Sequence, residues 1–281
     1  MEDRTFMTLM RLLPKSALSS AVGHATRLNA PRALHHAAMR AFARAYDVPL
    51  DEAERPIEGF DTFADFFARA LKPGLRPIAE GERVIASPVD GAVSQAGYLA
   101  DGQAIQAKGI SFPVEKLLGD EESARPFRDG GAFATLYLAP RDYHRIHAPI
   151  AGEIEGYRYL PGEFWPVNRI SVREKDALFC LNERLITFLA TPLGKCAVVK
   201  VGATCVSRIR ASYDDVLTHQ HTPRKEHWYE PTRGIAKGAE LGRFEMGSTV
   251  ILLFEAGRVK WDERLVPDAV VRMGERIGEG T

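Results

Sequence analysis

From Arg76 to the C-terminus the chain is a succession of short apolar runs broken by glycine, proline, asparagine and aspartate, and this rhythm constrains the fold more than any other feature. Residues 83–85, 133–138, 153–159, 185–190, 197–201, 250–254 and 259–261 are rich in β-branched and aromatic side chains and too short for ordinary helices. Turn-forming residues at such close intervals predict a sandwich or barrel of mainly antiparallel strands. Residues 4–46 follow a different period. After Pro31, which suits a first helical turn, Leu34, Ala38, Ala41, Phe42, Ala45 and Tyr46 recur at helical spacing, with Arg32, Arg40 and Arg44 mostly outside that stripe. Phe6, Leu9, Met10 and Leu13 form a shorter stripe beside Arg4 and Arg11. Asp61 and Thr62 are candidate caps for a helix through Phe63, Phe66, Phe67 and Leu71, ended by Pro73 and Gly74. The predicted class is α+β: amphipathic N-terminal helices in a membrane-associating region, residues 1–73, on a β-rich catalytic domain, residues 74–281.

Charge is distributed unevenly. The net charge is zero, so no nucleic-acid partner is expected. Residues 1–46 nevertheless carry seven bases (Arg4, Arg11, Lys15, Arg27, Arg32, Arg40, Arg44) against two acids (Glu2, Asp3), a local excess of +5. A basic, amphipathic end on a neutral chain predicts an anionic membrane surface as partner, although the same stripes equally suit docking on the core. No apolar run approaches the roughly 18 residues of a spanning helix, and Arg4, Arg11 and Lys15 interrupt what would be a signal-peptide core. The chain is expected to lie on a membrane without crossing it. Cys180, Cys196 and Cys205 have no CxxC spacing, which suits free, buried thiols in a reducing compartment.

Three segments carry the candidate chemistry. Ser87-Pro88-Val89-Asp90-Gly91 has the residues of a tight turn between strands. The segment 138–149, LAPRDYHRIHAP, crowds Asp142, Tyr143, His144, Arg145 and His147 between two prolines, a set costly to place in a core. His144 and His147 are three apart. The prolines leave little room for a helix, and in extended chain that spacing puts the two rings on opposite faces, where they would do different work. The third segment, 244–254, FEMGSTVILLF, is by itself a strand entered through glycine.

Together the three blocks resemble the signatures of the phosphatidylserine decarboxylase family, pyruvoyl-dependent and of bacterial type: SPVDG, DYHRxH and a Gly-Ser-Thr processing motif near the C-terminus. Supporting segments agree in order and spacing from about residue 60 onward. Phe66-Phe67 leads into Leu71-Lys72-Pro73-Gly74 and Arg76-Pro77-Ile78. Leu160-Pro161-Gly162, Val167-Asn168, Asn182-Glu183-Arg184 and Val201-Gly202-Ala203-Thr204 follow. Met246 stands where the family usually has leucine, a volume-conserving exchange. Phe164-Trp165-Pro166 and Val206-Ser207-Arg208 are less typical.

The resemblance implies a zymogen that cuts itself between Gly247 and Ser248. It would leave a beta chain, 1–247, and an alpha chain, 248–281, whose Ser248 becomes a covalent pyruvoyl (pyruvic acid) cofactor. Asp90, His147 and Ser248 would form the self-cleavage triad, with His147 as base and Asp90 orienting it. His144 would serve decarboxylation, and pyruvoyl at 248 would form a Schiff base with the substrate amine. The product would be phosphatidylethanolamine, in phospholipid biosynthesis. The two chains would remain together as a heterodimer, with a dimer of that unit left open, peripheral on the cytoplasmic face of the cell membrane. No metal is expected. Two other readings compete. One is a zinc hydrolase using Asp90 with His144, His147, His219 or His221, the last two sharing a strand face. The other is a non-catalytic membrane-binding β-domain.

Overall fold

The computed structural model describes residues 2–26, 31–107, 109–204, 208–218, 223–245 and 249–281, with the backbone alone for 2–4 and 16. Helices α1 (Glu2–Leu12), α2 (Lys15–Ala25) and α3 (Arg32–Tyr46) open the chain, followed by the short α4 (Phe63–Phe67). Strands β1 (Val84–Ala86), β2 (Gly91–Tyr98), β3 (Gln103–Ala107) and β4 (Ile110–Pro113) precede α5 (Val114–Leu118) and α6 (Glu121–Ala124). Then come β5 (Ala132–Tyr137), β6 (Arg145–His147) and β7 (Gly152–Leu160), with α7 (Arg169–Glu174) and α8 (Leu178–Leu181). The remaining strands are β8 (Arg184–Thr191), β9 (Gly194–Val201), β10 (Ile209–Ala211), β11 (Lys225–Ile235) and β12 (Glu240–Phe244), then β13 (Thr249–Phe254), β14 (Val259–Trp261), β15 (Val270–Val271) and β16 (Arg276–Gly280).

The class is α+β, as the residue pattern predicts, and every strand pairing is antiparallel. The largest sheet runs β11-β7-β8-β9-β13-β5-β2-β15, and two three-stranded sheets, β10-β12-β6 and β1-β16-β14, pack on one of its faces. Its other face carries a second core, built with α5, α7 and α8 and closed in part by α1 through Met7. β13 runs through the middle of the large sheet, and Val250 to Phe254 are wholly buried. Apolar side chains therefore point to both faces. This is why the segment has a continuous apolar run instead of an alternating one.

At the N-terminal end the structure corrects the expected stripes. On α3 the buried residues are His35, Met39 and Ala43, with Phe42 half-buried, while Leu34, Ala38, Ala41, Ala45 and Tyr46 are exposed. An alanine-rich helix offers several faces at helical spacing, and the aromatic cluster beside it selects one. Phe42 meets Phe63, Phe66 and Phe67 with ring centroids 5.1, 6.4 and 5.9 Å away. On α1 the expected stripe divides. Phe6 and Met10 pack against the core beside Met7, and Leu9 is exposed, together with Leu12. Thr62 caps α4, its hydroxyl accepting from the Asp65 amide at 3.1 Å. The helix ends at Phe67, so Leu71 lies beyond it, bridged to Ala53.

Candidate active site

The candidate site lies where one end of the large sheet meets the β10-β12-β6 sheet. Thr249 opens β13 between Tyr137 of β5 and Val201 of β9, and Tyr137 also pairs with Ala92 of β2. Gly91 sits so close to β5 that a Cβ there would come within 2.4 Å of the Tyr137 carbonyl oxygen. A side chain at 91 would push the Asp90 turn away from the strand. After β5 the chain turns, with the Ala139 amide donating to Asp142 Oδ2 at 2.6 Å, and enters β6. There the His147 amide donates to the Pro88 carbonyl at 2.9 Å and the Phe244 amide to the His144 carbonyl at 3.0 Å. Gly247 and Ser248, with Met246, lie outside the described residues, as do Cys205, His219 and His221. Their described neighbours Glu245 and Thr249 belong to this junction. The first two blocks and the flanks of the third thus converge.

The backbone of His147 is bonded two residues from Asp90, at Pro88, yet among the described residues the two side chains share no hydrogen bond. The Asp90 carboxylate is taken by Arg76, whose Nε lies 3.0 and 3.1 Å from the two oxygens and whose Nη2 is 2.6 Å from Oδ2. The Met273 amide adds a bond at 2.8 Å, and Arg76 Nη2 also reaches Glu52 Oε2 at 2.6 Å. Asp90's hydrogen bonds raise the guanidinium pKa further, so Arg76 stays charged. A carboxylate paired in this way is held in one orientation.

His147 is oriented by other groups. Its Nδ1 is 2.8 Å from the Gly238 carbonyl oxygen. A carbonyl only accepts, so Nδ1 carries the proton. Nε2, 3.0 Å from the Tyr143 hydroxyl, is then the acceptor. Gly238 has φ +79°, a left-handed turn suited to glycine, and a Cβ there would meet Ile78 at 2.7 Å. Burial pulls the His147 pKa below the ordinary imidazole value, while the Gly238 carbonyl, Glu240 and, more weakly, Asp90 favour the charged form. Burial also pushes the Tyr143 phenol up to about 12, which keeps it a hydroxyl donor. At neutral pH the ring is a neutral base with its lone pair on Nε2.

His144 occupies different surroundings. It is wholly buried and stacked on Phe67, with ring centroids 4.1 Å apart and planes inclined by 20°. Among the described residues neither ring nitrogen has a hydrogen-bond partner. Burial and the nearby Arg69 charge pull its pKa down to about 3, and the Ala139 and Pro140 backbone opposes that shift without reaching hydrogen-bond geometry. Arg69 is buried too. Its Nη2 donates to the Arg141 and Asp142 carbonyls at 2.7 and 3.3 Å, while Nε and Nη1 have no partner among the described residues. It fixes the loop ahead of His144 and keeps that imidazole uncharged. The two histidines therefore sit in separate microenvironments, one wholly buried and unpartnered among the described residues, the other polar and clamped.

A cavity of about 270 Å³, lined by Glu52, Arg69, Arg76, Asp90, Asp142 and Tyr143, opens at this junction. A second of about 410 Å³ borders it at Gly91, Arg141, Asp142 and Val270, and Tyr137, Val167 and Val172 give it apolar wall. Among the described residues no three His, Cys, Asp or Glu side chains gather as a metal-binding group. Residue-type reasoning left Arg76, Tyr143 and Phe67 inside matching segments with no role, and missed Arg69, Glu52 and Gly238. Only density of charge near prolines hinted at any of them.

Neutral, desolvated imidazoles beside an arginine-held carboxylate define an enzyme site suited to acid–base chemistry. The phosphatidylserine decarboxylase family model matches residues 63–279. A phosphatidylserine decarboxylase proenzyme of Myxococcus xanthus is 63% identical over 278 residues, covering 99% of both chains. Proenzymes of the same name from Anaeromyxobacter sp. and Azotobacter vinelandii are 57% and 42% identical, the first covering 99% and the second 100% of both chains. This chain belongs to the phosphatidylserine decarboxylase family.

Proposed function

We propose that the chain decarboxylates phosphatidylserine to phosphatidylethanolamine, using a pyruvoyl group that it makes from its own Ser248. The observation that carries this reading is the meeting of Asp90, His144 and His147 with both flanks of the 246–248 segment at one buried junction. In self-cleavage, Ser248 Oγ attacks the Gly247 carbonyl carbon while His147 Nε2 takes the hydroxyl proton. The peptide C–N bond breaks as the ester forms, and the proton passes to the leaving nitrogen. Loss of the Ser248 α-proton then expels the Gly247 carboxylate and leaves dehydroalanine, which water converts to the pyruvoyl group and ammonia. Tyr143, bonded to the same Nε2, must rotate away or relay the proton. Asp90 acts on His147 by charge, favouring the imidazolium, while Arg76 keeps that charge in place.

The junction fits such a group, because it is buried and supplies neutral imidazoles. When present, the group supplies an electron-poor carbonyl that accepts the electrons left as carbon dioxide departs. His144, neutral and with neither nitrogen bonded among the described residues, orients the substrate or passes the proton that completes the product. The products of cleavage would stay together. Residues 249–281 contribute β13, β15 and β16, which pair with β5, β9, β2 and β1 of the preceding chain. Burying each large apolar side chain of β13 is worth ~1.5–3 kcal/mol.

No helix among the described residues is long and apolar enough to cross a membrane. The exposed Leu9, Leu12 and Leu18 of α1 and α2, within the basic segment, support peripheral attachment to the cytoplasmic leaflet, where the lipid substrate lies. Denaturing intact-mass measurement tests the central claim. Fragments 1–247 and 248–281 are expected, the second refractory to Edman degradation. A full-length chain with free Ser248 and full activity would refute it.

A further inference from the structure

On the outer face of the β10-β12-β6 sheet three arginines stand in one row. Arg210 pairs with Arg243, and Arg243 with Arg145, as direct cross-strand neighbours. Directly opposed residues of an antiparallel ladder share a face, and like charges there oppose folding. All three are only partly exposed, while the alternate positions Ile209, Phe244 and Ile146 point into the core. Acids relieve the ends of the row. Glu240 Oε2 lies 3.0 Å from Arg145, and Glu245 lies 3.5 Å from both Arg208 and Arg210. Arg243, in the centre, has no carboxylate partner among the described residues.

Beside the row is a cavity of about 460 Å³ lined by Arg55, Thr62, Asp65, Arg145, Arg243 and Glu245. Asp65 is engaged by Thr62, whose hydroxyl lies 2.8 Å from Oδ2. Two wall residues adjoin the candidate site directly. Arg145 follows His144, and Ala68, whose carbonyl accepts from Arg145 Nε at 3.0 Å, follows Phe67. The arrangement therefore places Arg243, which has no carboxylate partner among the described residues, directly beside Arg145, the residue next to the buried imidazole.

We propose that this cavity is a phosphate subsite with Arg243 as its central ligand, taking the phosphodiester of the phosphoserine head group while the amino acid end reaches the His144 side. The proposal rests on the decarboxylase reading above. Guanidinium groups bind phosphate oxygens through two parallel N–H donors, which explains a row of arginines where one cation would serve simple solubility. Its position also separates two tasks: the phosphate is gripped outside the dry chamber, and the carboxylate to be lost remains inside it.

The test compares wild type with Arg243→Gln and Arg243→Lys, scoring only the matured fraction measured by intact mass. On monomeric, short-chain phosphatidylserine, Arg243→Gln should raise KM by roughly 10- to 100-fold, the size of a lost charge-assisted hydrogen bond, with a smaller change in kcat. Arg243→Lys should recover part of the loss. Inorganic phosphate should compete with substrate in the wild type and not in Arg243→Gln. Calorimetric titration of inorganic phosphate into the uncut Ser248→Ala chain, with and without Arg243→Gln, gives the same comparison without maturation or turnover. Unchanged KM and unchanged phosphate binding would overturn the subsite. Weaker binding to phosphatidylglycerol vesicles with unchanged KM for the monomeric substrate would assign the row to the bilayer surface and overturn the head-group role. A wild type that binds phosphate through Arg243 yet releases no carbon dioxide would leave an anion site and refute the decarboxylase reading instead.

Discussion

The first two helices and the segment that follows them differ more than their common helical, arginine-bearing character suggests. α1 and α2 touch the body of the protein along one side, with Met7, Phe6 and Met10 on the second core, and leave Leu9, Leu12 and Leu18 in solvent. Residues 32–76 are bound into the candidate site. Phe42 of α3 backs the ring cluster containing Phe67, and Phe67 stacks on His144. Arg76, itself paired with Glu52, reaches Asp90, and Arg69 reaches the loop ahead of His144. Arginine at the surface and arginine in the interior do different work for a physical reason. An exposed guanidinium stays hydrated and gains little from any one partner. A buried one forces its surroundings to supply acceptors or leaves costly vacancies.

The largest effect that would break this contrast is expected at Arg76. Arg76→Met leaves the Asp90 carboxylate buried beside a single amide donor. Losing one partner of a buried pair costs ~3–5 kcal/mol, so self-cleavage followed by denaturing electrophoresis should slow by roughly 10²- to 10³-fold, at about 1.4 kcal/mol per factor of ten. Normal maturation of this variant would mean that Asp90 needs no fixed charge partner. Next in size is His144→Ala, which should mature substantially yet lose carbon dioxide release by ~10²-fold, as for a missing acid–base group. An uncut His144→Ala beside a normally matured His147→Ala would reverse the two assignments.

A smaller effect is expected from removing residues 1–26. Residues 1–26 carry only +1 of the +5 of residues 1–46, charge supplies at most ~1 kcal/mol per base at an anionic leaflet, and salt at 0.15 M limits its reach to about 8 Å. The exposed leucines must therefore add burial. The truncation should sediment poorly with anionic vesicles and turn over bilayer substrate slowly, while short-chain soluble substrate is spared. Equal loss on both substrates in matured protein would show that α1 and α2 complete the site. Removing α3 as well should damage the site itself, because Phe42 would no longer support Phe67.

The last effect is independent of pH near neutrality and grows below it. His144 titrates near 3 when folded and near 6.5 when unfolded, so the unfolded chain binds the extra proton between those values. Stability should then fall with pH through that window by up to about 1.4 kcal/mol per unit from this residue. Against His144→Phe, chemical denaturation of the wild type should show a constant difference in stability above pH 6.5 and a growing loss relative to the variant below it. Parallel curves would mean that the imidazole is hydrated when folded.

Much of this architecture is written locally. β-branched runs bounded by turn residues identified β5, β7, β8, β9, β13 and β14 to within a few residues, because a strand buried on both faces needs an uninterrupted apolar run. β11 escaped notice because it is an edge strand with ten of eleven residues at least partly exposed, and so has no apolar alternation. β6 escaped because three residues between prolines carry no period. The site shows the same division. Asp90, His144, His147, Gly247 and Ser248 stand out by type and family pattern, and the three-residue spacing of the histidines foretold different surroundings. What surrounds each of them is set by segments far apart in the chain. Arg76 and Met273 meet at Asp90, and Tyr143 and Gly238 hold His147. Phe67 and Arg69 keep His144 dry and neutral. Sequence determines which groups are present and which strands can form. Only tertiary packing decides which buried charge finds a partner, since desolvation depends on neighbours that no local pattern specifies.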